Sequence, residues 1–368
     1  MAELIDRFGR VARDMRVSLT DRCNLRCVYC MPETGVNMMP ASTLLTDDEV
    51  IRLVRIGVEK LGISKVRFTG GEPLLRRGLE DIIAATARMR VGASQEPATG
   101  VRSDSESAQR ADSGADMALR APEIALTTNG IGLAARASRL KSAGLNRVNI
   151  SIDTVQPAEY AQITRRGRWS DVAAGVRAAS AAGLAPVKIN AVIMRGINEH
   201  AAPQLLAFAL RNGAQVRFIE FMPIGPRGSW GPAAVIRGAE LVRQLREDFS
   251  LSEVDPALRG SAPAALWNVA AGSYKGEAYP AGQVGFISSV SDPFCAHCNR
   301  TRLTADGLIR SCLFSDTETN VRELLRIGAS DAEIAAAWQA RMWAKPEKHG
   351  IGEPEFVQPE RSMSAIGG

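Results

Sequence analysis

The chain has 368 residues, 45% hydrophobic and 23% charged, with 45 Lys and Arg against 40 Asp and Glu and a formal net charge of +5. That length accommodates one large α/β domain with a smaller one beside it, and no run of 18 apolar residues offers a membrane span. Without a basic run interleaved with aromatics nucleic acid is not the expected partner, and without a basic-then-apolar leader the expected location is the cytoplasm.

In that reducing compartment cysteines serve more often as ligands than as disulfides. The six here fall into two groups of three: Cys23, Cys27 and Cys30, then Cys295, Cys298 and Cys312. The three histidines, at 200, 297 and 349, are too few and scattered for a His-rich metal site.

The first predicted element is a short strand at 16–20, with the first triad on the loop just past it. Thiolates are soft ligands that suit iron–sulfur clusters, zinc and Cu(I). Three cysteines spaced C-x3-C-x2-C leave one iron of a four-iron cubane without a protein ligand, free to take a chelating small molecule. A zinc knuckle or three unrelated thiols are the alternatives.

Residues 46–61 predict a helix. Thr46 and Glu49 form a capping box, Val50, Leu53, Val54 and Val58 give an apolar face, and Gly62 ends it. Lys65–Thr69 is a strand running into Gly70-Gly71-Glu72-Pro73, and 78–90 is again helical. Residues 91–121, rich in Ser, Ala, Gly, Asp and Arg, have no periodicity and predict a flexible surface insertion. The pattern resumes with a strand at Glu123–Thr128, a helix at 131–143 and a strand at 147–152. A helix at 170–182, opened by Ser170, a strand at 186–193, a helix at 200–211 and a strand at 215–221 complete it.

Six strands alternating with helices argue a parallel sheet with crossover helices. An open (β/α)6 barrel fits six units, with a doubly wound sheet as the rival. Strands buried on both faces should be nearly all apolar. Here Lys65, Arg67 and Thr69 share a face by period-two alternation, as do Asn149, Ser151 and Asp153, and Lys188 and Asn190. Buried cations need partners, so the pattern predicts a polar barrel interior filled by ligand. Chemistry is expected at the C-terminal ends of the strands.

From residue 225 the chain turns to Pro, Gly and short segments, then to F-C-A-H-C-N-R-T-R-L-T-A-D-G-L-I-R-S-C-L-F at 294–314. Asp306-Gly307 predicts a two-residue hairpin turn. In that register Cys312 lies opposite Thr301 and returns towards Cys295 and Cys298. A second open-iron cluster, or a zinc site with His297 as fourth ligand, would follow. The same register puts Arg300 and Arg302 on the face opposite Cys312, so a twist or bulge is required to bring them together. Residues 331–343 predict a last helix, and the tail after Pro346 reads as a disordered end. The expected division is a barrel at 1–224, a closing domain at 225–345 and a tail at 346–368.

Together, the first triad, T-G-G-E-P-L at 69–74, T-T-N-G at 127–130, N-I-S-I-D at 149–153, R-F-I-E-F-M at 217–222, C-x2-C-N-R-T-R, Cys312 and the final Gly-Gly resemble the GTP 3′,8-cyclase family. These are radical S-adenosylmethionine (radical SAM) enzymes of molybdenum-cofactor biosynthesis. The resemblance spans nearly the whole chain except 91–121, a segment that family usually has much shorter.

It implies a partial TIM-type barrel of the radical SAM kind with a C-terminal extension. It implies that Cys23, Cys27 and Cys30 hold one 4Fe–4S cluster and that Cys295, Cys298 and Cys312 hold another. Tyr29, Gly71, Ser151 and Met222 fall at positions that contact S-adenosylmethionine. Arg16, Arg67, Thr127, Lys188, Arg300, Thr301 and Arg302 fall at GTP positions, with Arg217 and Lys65 as further candidates. Arg16, Arg300 and Arg302, with Gly367 and Gly368 of a tail that resembles the family's C-terminal end reaching into the site, are the implied catalytic set. No G-x4-G-K-[ST] loop is present, so side chains must hold the triphosphate, for which Arg is well suited.

The implied reaction converts GTP and S-adenosylmethionine into (8S)-3′,8-cyclo-7,8-dihydroguanosine 5′-triphosphate, 5′-deoxyadenosine and methionine. The implied partners are an electron donor of flavodoxin or ferredoxin type and a downstream cyclic pyranopterin monophosphate synthase; a homodimer is compatible. Two alternatives remain at this point. One is another radical SAM enzyme with an auxiliary cluster, such as a peptide modifier. The other is a non-catalytic zinc module on a basic, nucleic-acid-binding scaffold.

Overall fold

Strands β1 (Asp14–Ser18), β2 (Lys65–Thr69), β3 (Glu123–Thr128), β4 (Arg147–Ser151), β5 (Lys188–Ile193) and β6 (Gln215–Glu220) lie in chain order, each parallel to the next. The structure is a computed structural model, and residues 3–92 and 120–367 are described. Helices α1 (Asp47–Arg55), α2 (Leu79–Ala87), α3 (Leu133–Ser142), α4 (Pro157–Thr164), α5 (Trp169–Ala181) and α6 (Ala202–Arg211) alternate with the strands. Val66, Phe68, Ile124, Leu126, Val148, Ile150, Ile189, Val216 and Phe218 are buried. They form one core with Leu53, Ile82, Leu133, Val176 and Leu206 of the helices. Each such side chain contributes roughly 1.5–3 kcal/mol on burial. Alternation then turns the polar residues of the same strands to the opposite face.

Local signals set the boundaries. Thr46 and Glu49 make the capping box of α1, which runs into a π-helical stretch at Ile56–Lys60 before Gly62 turns the chain at φ +72°. Ser170 is not a cap: α5 starts earlier, at Trp169, whose ring packs between Tyr160 of α4 and Phe208 of α6. Helix α4 carried no anticipated signal. Most of the expected insertion, residues 93–119, lies outside the described residues. At its base the Val91 N–H donates to the Arg120 carbonyl at 2.8 Å, which brings its two ends together.

The C-terminal part continues the same sheet at both ends. After α7 (Gly238–Leu245) come β7 (Leu251–Glu253), β8 (Ala265–Val269), the separate pair β9 (Gly272–Tyr274) and β10 (Glu277–Tyr279), and β11 (Gly282–Ile287). Then follow β12 (Arg300–Leu303), β13 (Leu308–Arg310), β14 (Glu318–Asn320), α8 (Val321–Arg326), α9 (Asp331–Trp343) and a short helical turn α10 (Met363–Ile366). Strand β11 pairs parallel with β6, and β12 pairs parallel with β1. Residues 288–299 therefore run from one edge of the parallel array to the other and carry Cys295 and Cys298 across the open side. The Glu220 carboxylate at the end of β6 fastens this crossing by accepting from the backbone N–H groups of Val290 and Ser291, each at 2.8 Å.

The expected hairpin register is corrected by one residue. Arg302 pairs with Arg310 and Leu303 with Ile309, and Thr304 N–H bonds to Leu308 O at 2.9 Å. The loop is thus Ala305-Asp306-Gly307, three residues long, with Gly307 at φ +79°, the usual glycine of a three-residue hairpin. A one-residue slip exchanges the faces of a strand. Continued past Arg310, the observed register sets Cys312 across from Arg300, on its side of the sheet. No special twist is needed to bring them together.

The aperiodic tail is not a disordered end. Arg361 makes a two-point ion pair with Asp306 (2.9 and 3.1 Å) and a contact with Glu318 at 2.9 Å. Ile366 is buried, and the chain enters the barrel behind these anchors.

Candidate active site

The inward faces of the strands enclose a chamber of about 320 Å³. All six cysteines line it, the first triad from the loop after β1 and the second from the crossing segment and the end of the hairpin. Tyr29, Gly71, Ser151 and Met222 line it too, as do Arg16, Arg67, Thr127, Arg217, Arg300 and Arg302. His297 does not, although Cys295 and Cys298 on either side of it do.

The cations are laid out by register. Arg302 of β12 sits beside Arg16 of β1, which sits beside Arg67 of β2. Three guanidinium-bearing positions thus form one row across neighbouring parallel strands. Arg300 pairs in register with Asp14 one step away. Burial, then the charges of Arg300 and Arg67, lower the Arg16 pKa to about 9. Burial, then Arg16 and Arg300, lower Arg302 to about 9. Burial lowers Arg67 to about 10 although Asp14 opposes the shift. Burial would raise the Asp14 pKa, but the cations of Arg16, Arg67, Arg300 and Arg147 hold it below the usual carboxylate value. The Nε–H groups of Arg16, Arg67 and Arg300 are buried without a hydrogen-bond partner among the described residues. So many underpaired buried cations are costly in the free protein, and a polyanion relieves that cost.

Three expected substrate groups do not line the chamber. Thr301 lies between Arg300 and Arg302 and so faces the other way; it is fully buried, accepts a 2.9 Å hydrogen bond from Trp338 Nε1 and does not line the chamber. Lys65 is half exposed and pairs with Glu123 at 3.8 Å. Lys188 sits in register with Asn149, a lining residue, at the lower end of β5. Burial, then Arg217, Arg147 and Arg67, depress its pKa to about 7.

The first triad is held by its surroundings. Burial pushes the thiols of Cys23, Cys27 and Cys30 up, Cys30 to about 12. A soft cation is therefore needed to bring them to thiolates. Gly71 permits the fold of this loop: a Cβ there would collide with the backbone carbonyls of Asp21 and Arg22. The glycine thus answers to its own chain as well as bordering the chamber. Glu72 next to it is fully buried, and its carboxylate accepts from Leu74 N (2.9 Å), Thr128 Oγ1 (2.7 Å) and Asn129 N (2.7 Å). Asn129 reaches on to Asn24 Oδ1 at 2.7 Å. Burial raises the Glu72 pKa to about 7 against those hydrogen bonds. Tyr29 donates to Asp153 Oδ2 at 2.8 Å, tying the loop to the end of β4.

The second triad differs. Burial raises Cys295. At Cys298 burial is outweighed by the cations of Lys345 and Arg300, and the thiol is shifted down. Six soft sulfurs around one chamber suit iron–sulfur chemistry. The unpaired Asn149 Oδ1 and Asn190 Oδ1, with Ser151 beside them, offer acceptors for hydroxyl or ammonium groups.

Residues 17–209 match the radical SAM superfamily, and residues 214–351 match the family described as Molybdenum Cofactor Synthesis C. The protein called GTP 3′,8-cyclase in Corynebacterium glutamicum is 52% identical over 365 residues, 99% of this chain and 89% of that one. The chain belongs to the GTP 3′,8-cyclase family. Its likeness extends to a GTP 3′,8-cyclase of Mycolicibacterium smegmatis, 52% identical across 99% of this chain and 92% of the relative. The GTP 3′,8-cyclase 2 of Mycobacterium tuberculosis is 51% identical over the same shares. Streptococcus suis SuiB bound to S-adenosylmethionine superposes with a TM-score of 0.55 at 13% identity, over 94% of this chain and 67% of that one. At that identity the match speaks for the fold alone, a radical SAM partial barrel with a C-terminal extension.

Several residues in or beside the chamber were not singled out from the sequence. Asp14 had a readable signal, since it shares the inward face of β1 with Arg16 by alternation. Glu72 had none beyond its place in T-G-G-E-P-L, because its three donors come from two different loops. His349 is isolated in sequence, yet its backbone bonds to the Cys295 thiol and the residue lines the chamber. Gly368 lies outside the described residues. No helix among the described residues is long and apolar enough to cross a membrane.

Proposed function

We propose that this chain closes the ring of GTP by radical chemistry, converting GTP and S-adenosylmethionine to (8S)-3′,8-cyclo-7,8-dihydroguanosine 5′-triphosphate, 5′-deoxyadenosine and methionine. Cys23, Cys27 and Cys30 hold a 4Fe–4S cluster, and Cys295, Cys298 and Cys312 hold a second. Tyr29, Gly71, Ser151 and Met222 border S-adenosylmethionine, while Arg16, Arg67, Thr127, Lys188, Arg217, Arg300 and Arg302 receive GTP. Bound at the first triad, cluster and S-adenosylmethionine supply the one-electron chemistry that starts the reaction.

The chain's own part is placement and exclusion of water. The Arg302–Arg16–Arg67 row meets the negative charge of the nucleotide with groups already desolvated, so little reorganisation remains at reaction. Arg300 and Arg302 lie on β12, which directly follows Cys298, so these cations and that cysteine are held close together by one short stretch of chain. The tail lies against Ser18 and Thr69, where a Cβ at Gly367 would come within 2.9 Å of both side chains. It limits access from that side.

The row of three arginines, Arg67 and Arg302 buried and Arg16 half-buried, facing both cysteine triads carries this reading. A peptide modifier has no use for it, and a zinc module has no use for a buried chamber. The reductant is a one-electron carrier of flavodoxin or ferredoxin type, and the product passes to a cyclic pyranopterin monophosphate synthase. Anaerobic incubation with S-adenosylmethionine, dithionite and GTP tests the proposal. 5′-Deoxyadenosine and a cyclised nucleotide should form only with all three, from protein holding about eight irons per chain. Two zinc ions per chain, or no cyclised product, refutes it.

A further inference from the structure

Lys345 is an almost fully buried lysine just beyond α9, 3% exposed. Its ammonium donates to Cys298 O at 2.9 Å, Arg300 O at 3.1 Å and Cys298 Sγ at 3.4 Å. Those three acceptors use all three donors of the group. No carboxylate pairs with it among the described residues, so the sulfur is its natural counter-charge. The helix that delivers it is itself fixed, since Trp338 of α9 bonds to Thr301 in β12. The next residues, Pro346 and Glu347, are held by Arg10, which donates to their carbonyls at 2.7 and 2.8 Å and also to Cys295 O at 2.8 Å. Two cations thus grip the two cysteines of the crossing segment, and both also anchor the start of the tail that carries Gly367 into the chamber.

We propose that Lys345 is a positioning residue for the second cluster: its ammonium fixes the Cys298 sulfur and biases that cluster towards its reduced state. This rests on the reading of Cys295, Cys298 and Cys312 as cluster ligands. A positive charge and a hydrogen bond at a ligating sulfur favour the more negative, reduced form, and so raise the potential. Lys345 does not line the chamber.

The test uses the full chain with Cys23, Cys27 and Cys30 all changed to Ala, so that the second triad alone carries iron. This background should hold about four irons per chain after reconstitution; if it holds none, the cluster reading itself fails. In it, K345M should keep its iron and lower the midpoint potential, followed by electron paramagnetic resonance, by at least about 59 mV, a tenfold change for a one-electron couple. K345R, which keeps the charge, should stay closer to the parent than to K345M. An unmoved potential in K345M with iron retained overturns the proposal. If K345M instead loses iron with its circular dichroism unchanged, restoration by K345R supports the proposal and failure to restore overturns it.

Discussion

Arg302 donates a 2.6 Å hydrogen bond to the carbonyl oxygen of Gly367, joining a strand of the barrel wall to the second-last residue of the chain. Both partners are buried, and Gly367 holds φ +82°, a conformation that side chains rarely adopt. The tail is therefore seated by a guanidinium that also belongs to the cation row. Occupancy of the chamber and placement of the tail share one residue.

Gly367→Ala places a methyl against Ser18 and Thr69 in a strained backbone conformation. The tail should leave its seat while the first triad stays intact. Cyclised product should fall at least about tenfold, equivalent to about 1.4 kcal/mol of barrier. Formation of 5′-deoxyadenosine uncoupled from product should persist. Chromatography of both products gives the ratio, and a parental ratio contradicts the seating role.

Arg16→Met and Arg67→Met remove one half-buried and one buried cation that repel the neighbouring cations and have an Nε–H without a partner among the described residues. Replacing such a charge by an apolar side chain of similar length often stabilises a protein. Each variant should match or exceed the parent's melting temperature without nucleotide, yet bind GTP at least about tenfold more weakly. Thermal melts and titration calorimetry read the two effects. A variant that loses stability and keeps its affinity would reverse the assignment.

Lys188 gives a pH signature. Its pKa in the free protein is depressed to about 7, and a bound triphosphate would raise it by stabilising the ammonium. Below pH 7 the lysine is already charged and binding takes up no proton there. Above pH 7 binding must recruit one, so GTP affinity should fall as pH rises, by up to about tenfold per unit for one proton. Lys188→Met should bind more weakly at pH 7 and lose this part of the slope. Calorimetry between pH 7 and 9 checks both.

Glu72→Gln keeps shape but swaps an acceptor for a donor. One amide end must then face a backbone N–H, of Leu74 or of Asn129, that the carboxylate now satisfies. A loss of about 1–3 kcal/mol in unfolding free energy is expected, read by chemical denaturation. The network tying the G-G-E-P turn to the 127–130 loop is weakened at one of its contacts, so activity should fall with it.

Much of the barrel was legible because period two and period 3.6 are local properties. Lys65–Thr69 and Glu123–Thr128 have the bounds the pattern predicts. The inward positions of Arg67, Asn149 and Ser151 follow from alternation alone. The cysteine spacings and the polar strand faces narrowed the chemistry to soft-metal sites beside a polar chamber, because ligand softness and charge belong to residue types, and the family resemblance was needed to name it.

What a linear pattern does not carry is register and distance. Whether the hairpin turns on two residues or three decides which face Cys312 shares with Arg300, and that choice rests on Thr304 and Leu308 pairing across the loop. The tail has no periodicity, so its seat depends on Arg361, Asp306 and Arg302, drawn from remote segments. Thr301 looked like part of a substrate motif until Trp338, supplied by a distant helix, gave its hydroxyl a partner on the far side of the strand. Contacts between segments far apart in the chain are set by packing of the whole, and no short stretch encodes them.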